Sequence, residues 1–202
     1  MPIILYNNSW MSFNIMLAFL AVLLGYFFIR ATSPMLKVIF GISWLLFLPN
    51  TIYLFTDLQH LFMQWGKVQP VYVIILLVQY TVLQIIGVVT FILAFHPFEK
   101  IINYFSVLKK KKIKVIMAFN FLIAFGMVLG RAERINSWEV ITKPGSVLLS
   151  AFHVLTSVHL LSLTFLFGIV CNIIYFLFRD PVMHASRKNY KKLMGELGKL
   201  LD

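Results

Sequence analysis

Acidic side chains are the scarcest class in this sequence: seven Asp and Glu in 202 residues, against eighteen Lys and Arg. Charged residues of both signs come to 12% and apolar residues to 60%, with a mean hydropathy of +0.88. Soluble domains carry roughly 25% charged and 45–50% apolar residues, so an ordinary soluble domain is excluded. The single cysteine, Cys171, excludes an intrachain disulfide and a thiolate metal cluster. There is no P-loop, no Gly-x-Ser-x-Gly elbow and no His-Glu-x-x-His zinc helix. The short alternating segments of a transmembrane barrel are missing as well. No Lys or Arg precedes Arg30, and the first apolar run is long enough to span, so no cleavable signal peptide is expected.

What the chain does have is long apolar runs. Five of them approach the roughly 20 residues that cross a bilayer, at about 10–29, 36–56, 70–95, 113–130 and 150–178. The expected fold is all-α: an integral membrane bundle of five transmembrane helices with amphipathic cytoplasmic segments. Residues 1–178 form a single transmembrane domain and 179–202 a basic amphipathic tail. Pro34, Pro70, Pro97 and Pro144 fall between runs, as helix breakers should. Pro49 falls inside the second run and predicts a kink there.

The positive charge is unevenly placed. If the runs alternate in direction, Arg30, Lys37, Lys100, Lys109–Lys112, Lys114 and the tail's Arg179, Arg187, Lys188, Lys191, Lys192 and Lys199 share one side. Lys67, Arg131, Arg134 and Lys143 share the other. Positive charge marks the cytoplasmic side, so the N-terminus is expected outside and the C-terminus inside. In the tail, Tyr190, Leu193, Met194, Leu197, Leu200 and Leu201 recur at helical spacing among lysines. Phe98, Ile101, Ile102, Phe105 and Leu108 do so in the third connection. Both suit helices lying on an anionic inner leaflet, or ordinary basic flanks. Membrane lipids are therefore the expected partners. Nucleic acid is not, and a protein partner and any cofactor are left open.

The polar residues that remain are concentrated. Asn50, Tyr53, Asp57, His60 and Gln64 fall within about 80° of one helix face at roughly 100° per residue. A polar stripe in a membrane helix has to face protein or water. After the fourth run comes Gly130-Arg131-Ala132-Glu133-Arg134-Ile135-Asn136-Ser137-Trp138-Glu139, expected on the same outer side. Two charged motifs at one end of a small bundle should meet, with Asp57 paired to Arg131 or Arg134.

The residues Phe47, Leu48, Pro49, Asn50, Tyr53, Thr56, Asp57, Leu58, His60 and Leu61 make the first motif. Gly130, Arg131, Arg134, Asn136, Ser137, Trp138 and Glu139 make the second. Together they resemble the bacterial multi-pass proteins grouped as domain of unknown function 1361, over roughly residues 35–175. Glu139 stands where that family more often has Asp. The resemblance implies a bacterial inner-membrane protein and supplies no activity.

Each candidate has two readings. Asp57 and His60, one turn apart, are either a hydrogen-bonded pair at a helix end or a catalytic base or metal pair. A metal would need Glu133, Glu139 or His153 as further ligands. Arg131 and Arg134 either neutralise nearby carboxylates or form a fork for an anionic group. Asn136 and Glu139 have the spacing of a capping box, and Trp138 suits an interfacial anchor. On one continuous fifth helix, His153 and His159 would lie about 9 Å apart along the axis on different faces. Thr156, His159 and Ser162 would form an interhelical seam. Gln79, Gln84 and Asn120 are either glue between helices or the lining of a path. The functional expectation is a site for an anionic lipid or lipid-linked substrate. A transporter subunit and an assembly protein with a structural charge cluster are the alternatives.

Overall fold

The computed structural model describes residues 2–201, with side chains over residues 5–189. The described residues contain ten α-helices and no strand. They are α1 (Pro2–Arg30), α2 (Pro34–Phe47), α3 (Asn50–Thr56), α4 (Leu58–Gln64), α5 (Pro70–Tyr104), α6 (Ser106–Lys110), α7 (Lys112–Ala132), α8 (Glu139–Thr142), α9 (Pro144–Thr156) and α10 (Val158–Leu201). Five stretches are long and apolar enough to cross a membrane: Leu5–Arg30, Pro34–Lys67, Pro70–Tyr104, Lys112–Ala132 and Val158–Asn189. This is an all-α, multi-pass membrane protein. Ile74, Ile85, Leu122 and Phe165 are exposed on outward faces, the pattern of a bundle whose solvent is hydrocarbon.

Proline sets most of the boundaries. Pro34, Pro70 and Pro144 each open a helix at its first turn, where a missing N–H costs nothing. Pro49 breaks the second span between α2 and α3. Side chains just after the break bond back to the end of α2: Asn50 Nδ2 donates to Phe47 O at 3.0 Å and Thr51 Oγ1 to Leu48 O at 2.8 Å. Pro97 does not end its run as expected. α5 continues through it to Tyr104, and the Trp44 indole N–H donates to Ala94 O at 2.8 Å, in the turn the proline weakens. Phe98 and Ile102 therefore pack in the core, with Phe98 stacked on Phe119 at 3.7 Å, rather than lying on a leaflet surface.

The fifth run is also not one helix. Ser157 leaves the helical region (φ −83°, ψ 112°), closing α9 and opening α10. Its Oγ accepts from the Leu160 N–H at 3.5 Å, a cap position inside an apolar run. His153 and His159 thus belong to different helices. The expected seam is absent, because Thr156 and Ser162 donate to carbonyls of their own helices and His159 is exposed. α10 runs on through Pro181 with no break at 178–179. The tail side chains from Tyr190 onward lie outside the described ones.

Two apolar clusters hold the bundle. The larger joins α2, α5, α7 and α10 around Trp44, Phe91, Phe95, Phe119 and Tyr175. The smaller joins α1, α3, α4 and α5 around Ala18, Leu54, Leu76, Tyr80 and Leu83. Side-chain amides tie neighbouring helices together within each. Asn120 Nδ2 donates to Asn172 Oδ1 at 3.0 Å, and Gln84 Nε2 to Leu54 O at 2.7 Å. Gln79 Nε2 donates to Asn8 Oδ1 at 2.7 Å. These residues act as glue between helices.

Candidate functional site

The polar stripe of the second span is not on one helix. The chain breaks at Pro49 and slips again at Asp57, where α3 gives way to α4. The stripe nevertheless faces protein along its whole length, against α1 on one side and the end of α7 on the other. Asp57 is fully buried. Arg131 Nη2 donates to its Oδ1, and Asn14 Nδ2 to its Oδ2 at 2.7 Å. Each carboxylate oxygen therefore has a donor from a different helix. Arg131 stands in the last turn of α7, where a cation also suits the helix dipole.

The two motifs meet, then, through Arg131 and not Arg134. Arg134 is exposed, and its backbone is left-handed at φ 57°. It is the second residue beyond the last turn of α7, where the chain reverses and glycine is usual. Glu133 turns away from Asp57 to His153, Oε1 to Nδ1 at 2.9 Å. His60 makes no pair with the Asp57 carboxylate. Its ring lies 5.3 Å from that of Trp10. Gln64 exchanges amide hydrogen bonds with Asn7 at 2.9 and 3.0 Å. Among the described residues no three of His, Cys, Asp or Glu gather as a metal set.

The loop after α7 is pinned by its own side chains. Ser137 Oγ donates to Leu46 O at 2.8 Å, tying the loop to α2. Glu139 Oε2 accepts from the Asn136 N–H at 2.7 Å and the Asn136 amide at 3.2 Å. This is the returning half of a capping box, although α8 itself begins only at Glu139. The Asn136 backbone N–H, followed by the Asn136 amide and Lys143, holds the Glu139 carboxyl below the usual carboxylate range. Trp138 is half-exposed at the rim.

Tyr53 reaches α7 because residue 130 is glycine. A Cβ there would lie 1.4 Å from the Tyr53 hydroxyl. Around that contact lie two cavities. One, of about 170 Å³, is lined by Asn14, Asn50, Tyr53, Arg131, Asn136 and Trp138 among others. The second, of about 260 Å³, is an apolar crevice between α2 and α7, walled by Leu45, Leu122, Phe125, Leu129 and Val147. They share Tyr53, Gly130, Ile135, Asn136 and Ser137. Arg131 Nε is buried without a hydrogen-bond partner. His60 lines neither cavity.

Sequence reasoning missed Asn14, whose one signal is an amide in the first apolar run. It also missed a second buried charge cluster at the opposite end. There Glu99, on α5, accepts from Arg179 Nε and Nη2 of α10, each at 2.9 Å, and from the Tyr175 hydroxyl. Its signal was a lone acid beside the third connection and an arginine closing the last run.

Residues 13–174 match a family model described as a protein of unknown function (DUF1361). No curated protein and no solved structure matches the chain.

Proposed function

The chain belongs to the DUF1361 family, and from the geometry at its Asp57 end we propose that it binds a lipid or lipid-linked molecule with an anionic head. One observation carries this reading: a small polar cavity lies beside an apolar crevice, with Tyr53, Gly130, Ile135, Asn136 and Ser137 lining both. A head group and the start of a tail need that juxtaposition. Arg131 Nε is a donor without a partner of its own that an anion oxygen can use, because Asp57 takes Nη2 and fixes the guanidinium plane. Asp57 is thus a positioning residue. Asn50, Tyr53, Asn136 and Trp138 frame the head, and Leu122 and Leu129 the tail. Arg134, at the exposed loop, attracts the anion to the mouth. The unequal distribution of basic residues supports putting this end outside the cytoplasm.

The test is lipid retention. The protein is purified in mild detergent from membranes and its bound lipids are counted by native mass spectrometry. Arg131→Lys keeps the charge toward Asp57 but removes Nε, and Leu122→Trp fills the crevice. Both variants should lose the retained species while melting near the wild-type temperature. Unchanged retention in both would refute the proposal.

A further inference from the structure

At the Glu99 end, α1 and α10 both pack on α5 but hardly on each other. The gap between them is a groove of about 800 Å³, within the roughly 300–1,000 Å³ of small-molecule sites. Its floor and near wall are apolar: Val22, Tyr26 and Ile29 of α1, with Leu93 and Pro97 of α5. α1 comes close to α5 here because residue 25 is glycine, whose Cβ would meet Pro97 Cγ at 2.8 Å. The far rim is basic and belongs to α10, with His184, Arg187 and Lys188. His96 of α5 adds an imidazole, whose Nδ1 faces the Glu99 carboxylate at 3.6 Å. Arg30 lies over the Tyr26 ring, 5.4 Å from its centroid, and brings another cation to the near rim. None of the groove's lining residues is acidic.

We infer that this groove seats an anionic phospholipid from the surrounding leaflet, its phosphate at the Arg187–Lys188 rim and its acyl chains along Val22, Ile29 and Leu93. Two features select a lipid over a soluble anion. The cations stand at one end of an apolar trough rather than around a closed polar cup. The mouth is flanked by side chains already in hydrocarbon, with Tyr26 52% exposed and Leu23 51% exposed on a spanning helix. The site is independent of the Asp57 end, and shares no residue with it.

The experiment uses the full chain in nanodiscs and measures enrichment of phosphatidylglycerol over phosphatidylcholine around the protein. The wild type should enrich phosphatidylglycerol. Arg187→Gln with Lys188→Gln should weaken that preference roughly 30-fold, as two basic residues at a membrane surface imply. Val22→Trp, which fills the trough without touching charge, should weaken it too. Lys110→Gln with Lys111→Gln removes equal charge elsewhere and should change little. If the control pair lowers enrichment as much as the rim pair, only diffuse charge is at work and the proposal fails. It fails equally if Val22→Trp has no effect, or if 50 mM inorganic phosphate abolishes the preference.

Discussion

The sharpest consequence of the Asp57–Arg131 pair is an asymmetry between its two halves. The Asp57 side chain is 1% exposed, whereas that of Arg131 is 33% exposed. Arg131→Met leaves a buried carboxylate with the Asn14 amide as its remaining side-chain donor. Stranding a buried charge in this way costs about 3–5 kcal/mol. Asp57→Asn instead leaves a guanidinium that can turn toward water, at the roughly 1–3 kcal/mol of a lost charged hydrogen bond. In the double variant no charge is stranded, so its cost should fall near that of Asp57→Asn alone. The expected coupling is then about 3–5 kcal/mol, well above the roughly 0.5 kcal/mol within which independent sites add. The assay is reversible unfolding in mixed micelles of dodecyl sulfate and a mild detergent, followed by tryptophan fluorescence, for the four proteins of the cycle. Strict additivity, or an Asp57→Asn variant less stable than Arg131→Met, would refute the reasoning.

Three further outcomes follow from neighbouring residues. Gly126→Ala should cost about 1–3 kcal/mol, because the new Cβ would meet the rigid Pro49 ring at 2.7 Å. Adding Pro49→Ala should recover part of it in the same unfolding assay. Arg134→Gly should be neutral or raise stability by up to about 1 kcal/mol, since glycine relieves a left-handed backbone; a clear loss would give the Arg134 side chain a structural role. Glu139 titrates lower in the folded protein than its ordinary 4.5. The stabilisation it lends the 136–143 loop is therefore complete above that pH and disappears as pH falls through the lower folded value. A carbon-13 titration of the Glu139 carboxyl should show the depressed value, and Asn136→Ala should restore only part of the shift because the backbone donor remains.

The architecture was legible because hydrocarbon imposes a coarse rule: a spanning helix must be long and apolar, and five runs obeyed it. The meeting of Asp57 with the Gly130–Glu139 motif was legible for a related reason, since a polar stripe among apolar residues has to find protein. The choice of Arg131 over Arg134 was not. It depends on where α7 stops, and the reversal at φ 57° throws Arg134 outward. Helical spacing put His60 beside Asp57, but the slip at Asp57 turned it toward Trp10. Ser157 hid in an apolar run because a capping serine reads like any other small residue until its dihedrals are known. Asn14 and Glu99 were single polar letters without a partner in sequence, and their partners lie 43 and 80 residues away.

The length of α5 gives the Glu99 cluster a mechanical meaning. Thirty-five residues extend about 52 Å, against a hydrocarbon core of about 30 Å. If Pro70 sits at one edge of that core, Glu99 stands some 44 Å along the helix axis, beyond the opposite edge. On that placement α10 overruns in the same direction, and Arg179 grips Glu99 with two donors just past the edge. The ion pair then acts as a stay between two masts. Apolar packing continues on both sides of it, through Phe95 and Cys171 on one and through Ile102 and Met183 on the other. Anything that loosens Glu99 or Arg179 would leave Ile102 and Met183 to hold the overhanging ends by apolar packing alone.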